Sequence, residues 1–320
     1  MARHAPPDTK LHRYVDMWAF MGVHPTNIEI LQRLKMADDR QFGANMDVCG
    51  TVAEEDQTTG EWSEIHVVGI RTDAWNPTPE KLARKCEILK EERQEELRRQ
   101  IRRTGRLNQQ QQALLAEICR VDPVLRMCPQ DLECRRLVLK LFKSTTDRIR
   151  WQGSLEEVTT REVHNSLGSN GPLISFASSL DNYEYLTAFQ ENRRRWRIPS
   201  IFSFCYYEMD RDRIWYVELR RKWVSFGIDF RIIADGRQVG EIDGALFGFG
   251  YNAHIHVTEP DLANDRQFAD LLTLFTASVG YHKAIRRSIQ QRVKASRRGL
   301  PAVHIVEPEE FRLLKNPRAA

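Results

Sequence analysis

Between Phe268 and Tyr281 the chain reads FADLLTLFTASVGY. Phe268, Leu271, Leu272, Leu274, Phe275, Val279 and Tyr281, with Ala269, Ala277 and Gly280 between them, place apolar surface nearly all round a helix. A helix that is apolar on every side belongs in a core. Leu271–Tyr281 is far shorter than the roughly 20 residues that span a bilayer. Thr273, Thr276 and Ser278 also suit a protein interior better than lipid. The natural place for such a helix, over about 265–282, is the inside of a curled sheet.

The preceding residues can supply that sheet. Ile201–Tyr207 and Ile214–Leu219 are aromatic and β-branched, as strands prefer. Phe226, Ile228, Phe230 and Ile232 alternate with Gly227, Asp229 and Arg231, the period of a strand with one buried face. Asp235-Gly236 follows, a strong hairpin signal, and Gln238–Asp243 can return beside it. In Phe247–Val257 the apolar residues again alternate, opposite Gly248, Gly250, Asn252, His254 and His256. Glycines inside a strand permit bending, which a sheet needs in order to close.

Three zones emerge. Residues 1–77 hold a capping-box signal at Thr26–Glu29 before a short helix. Two β-like runs follow, Ala44–Ala53 and Trp62–Arg71, joined by the loop Glu54–Gly60 as a hairpin. Residues 78–150 read as helical. Glu80–Arg103 is densely charged with a thin apolar stripe, and further helices are expected over about Asn108–Arg120 and Asp131–Lys143. Residues 151–320 are strand-rich. The resulting fold class is α+β: an antiparallel barrel-like C-terminal domain around a buried hydrophobic helix, with a helical middle zone.

This order of strands, a glycine-rich bent strand and then one apolar helix resembles the tubby-like superfamily, which includes the LURP-one-related and phospholipid scramblase proteins. The segments that carry the resemblance are FGIDFRIIADGRQVGEIDG (Phe226–Gly244), FGFGYNAHIHV (Phe247–Val257) and DRQFADLLTLFTASVGYH (Asp265–His282). It covers the last third of the chain. It implies a twelve-stranded barrel around a hydrophobic C-terminal helix, and binding of phosphoinositides or membrane surfaces. No family ligand motif is matched, so no binding residue carries over.

Composition narrows the class further. Hydrophobic residues at 41% and charged residues at 29% fit a globular chain, and a formal charge of +4 over 320 residues selects no partner. The six cysteines form no Cys-x-x-Cys pair and no secretory signal is visible, so reduced thiols and a cytoplasmic location are expected. Local clusters carry the remaining chemistry. Tyr281–Arg298 contains Lys283, Arg286, Arg287, Arg292, Lys294, Arg297 and Arg298 with no acidic residue. As a continuation of the core helix it would emerge as a basic rod able to bind an anionic membrane or a phosphate backbone; the bland alternative is a solvated helix end. Arg193, Arg194, Arg195 and Arg197, around Trp196, combine charge with a stacking surface, or simply form a basic loop.

His254-x-His256 puts two imidazoles on one side of a strand, within reach of one metal ion. The spacing from Gly248 comes near a cupin-type pattern, but Glu259 falls one residue early and Pro260 opens a helix. Ordinary polar-face histidines are the simpler reading. No Gly-x-Ser-x-Gly elbow, phosphate-binding loop or His-Glu-x-x-His motif is present. The expected function is therefore a non-enzymatic binding or scaffold protein for an anionic partner, lipid headgroup or nucleic acid, with no cofactor. The alternatives are a metal-dependent enzyme using His254 and His256, and a structural protein that self-associates or binds a protein partner through its helical zone.

Overall fold

The structure, a computed structural model, describes residues 9–18, 41, 45–103, 117, 120–122, 124–132, 134–144, 149–192, 200–223, 227–245, 250–298 and 310. The proposed helix after Thr26, most of the one expected over Asn108–Arg120, and the Arg193–Arg197 cluster lie outside the described residues. The described strands are β1 (Leu11–Met17), β2 (Met46–Glu55), β3 (Trp62–Arg71), β4 (Val138–Ser144), β5 (Ile149–Glu157), β6 (Ser175–Leu180), β7 (Thr187–Glu191), β8 (Ile201–Glu208), β9 (Arg213–Arg221), β10 (Phe230–Ala234), β11 (Arg237–Ala245) and β12 (Tyr251–Val257). All twelve form one closed antiparallel barrel in chain order, with β1 sealing the ring against β12. The N-terminal hairpin β2–β3 thus belongs to the same sheet as the C-terminal strands.

The longer helices are α1 (Pro79–Arg103), α2 (Thr159–Leu167), α3 (Arg266–Ser278) and α4 (His282–Arg297). Asp265 caps α3, its Oδ1 accepting from the backbone N–H groups of Gln267 and Phe268. Every residue from Phe268 to Ser278 is buried. The helix contacts β1, β4, β5, β6 and β12. On the remaining sides Phe275 packs against Phe189 of β7, Phe202 of β8 and Phe230 of β10 at ring-centroid distances of 5.0–5.7 Å. Strands all round the ring touch α3, so it fills the barrel. At β5 a glycine leaves room for the neighbouring side chains. A Cβ on Gly153 would lie 2.4 Å from a Leu180 methyl and 3.2 Å from a Leu274 methyl.

The Asp235-Gly236 turn forms as expected, with φ of 47° and 81° at its two central residues. Both values are left-handed, as the tight turn between β10 and β11 demands. The Asp131–Lys143 segment differs from the expected helix: a 3-10 turn spans Pro129–Asp131, and Val138–Ser144 is β4. Leu137, Leu139 and Leu141 face the barrel core, while Phe142 joins Met46, Val48 and Val67 in a separate cluster flanked by Trp18 and Trp151. A strand covered on both faces loses the apolar–polar alternation that distinguishes it from a helix.

The segment after the core helix differs too. A 3-10 turn at Val279–Tyr281 joins α3 to α4, and α4 is not a free rod. Its Ile285, Ile289 and Val293 belong to the main core, and it packs on α2. No helix among the described residues is long and apolar enough to cross a membrane.

Candidate functional site

Two places gather the chemistry. The first is the outer face of the barrel where β1 meets β12. In β12, Tyr251, Ala253, Ile255 and Val257 belong to the core. Alternation therefore turns Asn252, His254 and His256 outward. The antiparallel register sets Tyr14 opposite His254 and His12 opposite His256. His12 and His256 are nevertheless only 2% and 3% exposed. Trp62 covers them in part, its ring edge-on to His12 at 4.7 Å.

His12 is held from both sides. Its Nδ1 lies 2.5 Å from Glu55 Oε2, and its Nε2 lies 2.9 Å from His254 Nδ1. Because a carboxylate only accepts, the Nδ1 carries the proton, and in the neutral ring the Nε2 then presents a lone pair to His254. The rings of His12 and His256 are 4.2 Å apart, and those of His254 and His256 are 6.0 Å apart and nearly parallel. One ring nitrogen from each of the three histidines lies within 4.8 Å of the others. His256 Nδ1 is buried and makes no hydrogen bond. Burial, followed by the neighbouring His12 and His254, pushes the His256 pKa down to about 4, so its ring is neutral at pH 7. These groups can hold a metal ion.

The sequence reading reached His254 and His256 but not His12, which lies 242 residues from His254. Strand β1 was itself not anticipated. The alternation of Leu11, Val15 and Met17 was available as a signal, but Arg13 interrupts it. Arg13 points inward with them, donating to Asp270 Oδ1 of α3 at 2.7 Å, to Thr273 Oγ1 at 3.1 Å and to Glu54 at 2.7 Å.

The second place is α4, which sorts its cations onto two faces. Arg292 is 1% exposed, donating to Glu157 at 2.7 Å and to the Arg135 carbonyl. Arg286 donates to the Pro172 carbonyl at 2.9 Å, to Glu191 at 2.8 Å and to Ser200 Oγ at 3.1 Å. These two arginines, expected in solvent, are tied into the fold. Lys283, Arg287, Lys294 and Arg297 are exposed. Their spacings of four, seven and three residues place them along one stripe of the helix. None of the four forms an ion pair with a described acidic residue, and α4 contains no Asp or Glu. The chain matches no family model, no curated protein and no solved structure.

Proposed function

We propose that this protein is a non-enzymatic binding or scaffold protein, a barrel of the tubby-like kind built around α3, that docks on an anionic membrane surface through α4. One observation carries the reading: α4 buries its apolar face, ties Arg286 and Arg292 to carboxylates of the fold and turns Lys283, Arg287, Lys294 and Arg297 to solvent in a single line. Those positions span about 21 Å along the helix axis. A straight cationic line suits an extended sheet of headgroups.

Because the apolar face of α4 is already used by the core, attraction to the membrane is electrostatic rather than insertional. Each exposed cation near an anionic leaflet contributes about 1 kcal/mol, so the stripe alone provides weak, salt-sensitive attachment. The Arg193–Arg197 cluster is a second source of the same charge.

The test is flotation with vesicles. Binding to phosphatidylserine-containing vesicles is expected at low salt, with little binding to phosphatidylcholine alone and loss of binding as salt approaches 0.5 M, a screening length of about 4 Å. Replacing Lys283, Arg287, Lys294 and Arg297 together with Gln should remove most of the binding and leave the melting temperature within a few degrees. Arg286 and Arg292 are unsuited to this test, since removing either leaves a buried carboxylate without its partner. Binding to oligonucleotides with no vesicle binding would assign the stripe to a phosphate backbone instead. Equal binding to neutral vesicles would reject the electrostatic reading.

A further inference from the structure

We infer that His12, His254 and His256 form a binding site for a divalent first-row transition-metal ion, zinc by donor chemistry, with Glu55 as the positioning carboxylate. The site is independent of α4 and of any membrane.

Convergence is the first observation. Two adjacent strands from opposite ends of the chain bring three imidazoles together on the outside of the barrel, with a nitrogen from each inside a 4.8 Å circle. Ligands on a tetrahedral zinc, with bonds of about 2.1 Å, stand about 3.4 Å apart. His12 Nε2 and His254 Nδ1 are now 2.9 Å apart, sharing a proton. Replacing that proton with a metal ion requires their separation to grow by about half an ångström, within the reach of small side-chain rotations.

The second observation is Glu55. It accepts from His12 Nδ1 at 2.5 Å, which fixes the tautomer with a lone pair on Nε2. A carboxylate behind a ligating histidine sets the orientation of the ring and raises its basicity. That arrangement is present before any metal binds.

The third observation is His256. It is 3% exposed, and its Nδ1 makes no hydrogen bond. A buried polar atom without a partner costs about 1–3 kcal/mol. It lies in a cluster whose members are all metal donors. Access is open on one side: His254 is half-buried, and Trp62 at the rim is 43% exposed.

The donor set selects the ion. Imidazole nitrogens suit zinc, cobalt, nickel and copper, whereas magnesium and calcium take oxygen ligands. The probe is therefore the metal alone. Full-length protein stripped with chelator is titrated with zinc chloride by calorimetry and with cobalt(II) by visible absorption. One equivalent is expected to bind, while magnesium does not compete. His256→Gln and His12→Gln should each weaken zinc by at least tenfold. Glu55→Gln should weaken it about 10–100-fold. X-ray absorption of the zinc-loaded wild type counts the imidazoles directly and needs no variant to fold; three are expected. Absence of stoichiometric zinc or cobalt binding, fewer than three imidazoles, or wild-type affinity in His256→Gln overturns the inference.

Discussion

His66 shows how one side chain couples this fold to pH. It points into the barrel from β3, 3.9 Å from Asp270. Burial, then the cations Arg13, Lys143 and Arg266, push its pKa down to about 3, against the modest upward pull of Glu54. The unfolded chain binds a proton at this residue below about pH 6.5, and the folded chain does not until about pH 3. Stability from this group is therefore complete above about 6.5 and declines as pH falls toward 3. The difference in unfolding free energy between wild type and His66→Gln should change by about 1.4 kcal/mol per pH unit between roughly 6 and 4. Urea titrations at pH 7, 5.5 and 4.5 measure it, and a constant difference would show that His66 is charged in the fold. Glu162 acts in the opposite sense. Burial beside Glu157 raises its pKa, so its contribution is greatest in acid and falls as pH rises. Only the comparison with the variant isolates His66.

Among the elements, α3 and β4 differ most in how openly the sequence declares them. An apolar surface on every side from Phe268 to Tyr281 identified α3 and its burial. β4 was hidden because Leu139 and Leu141 face the core while Val138 and Phe142 are covered from outside. β1 was hidden by Arg13, a charge at an inward position, whose partner Asp270 is 257 residues away. The dependence of α3 on close packing gives a test at this scale. Gly153→Val should destabilise the protein by about 1–3 kcal/mol, because the new side chain meets Leu180 and Leu274 in a filled core. Gly171→Val serves as a control, since a Cβ there has nothing within 4 Å. Equal urea midpoints for the two variants would mean that the core around Gly153, where Leu180 and Leu274 meet β5, has room for a larger side chain.

For the whole molecule, closure decides everything else. β1 pairs with β12 on one side and β2 on the other, so seven N-terminal residues join the ends of the ring. A chain lacking residues 1–17 would expose the edges of β2 and β12 and the flank of α3. It should lose cooperative thermal unfolding and bind a hydrophobic dye, whereas a sharp transition near the wild-type temperature would show that the barrel closes without β1. The same truncation removes His12, so the proposed metal site and the closed fold depend on one strand.

Local pattern alone determined α3 and its burial, the Asp235-Gly236 hairpin, the β2–β3 hairpin, and the one-sided placement of His254 and His256. Each depends on interactions within a few residues, or on the average polarity of a face. Tertiary structure alone decided that β1 closes the ring, that His12 and Glu55 stand beside the two histidines, and that Arg286 and Arg292 are tied to carboxylates of the fold while Lys283, Arg287, Lys294 and Arg297 are exposed. The physical reason is range. A buried charge is tolerated only where its partner happens to pack, and Arg13 with Asp270, Arg292 with Glu157 and His12 with His254 are pairs that strand register and helix docking create across more than a hundred residues of chain.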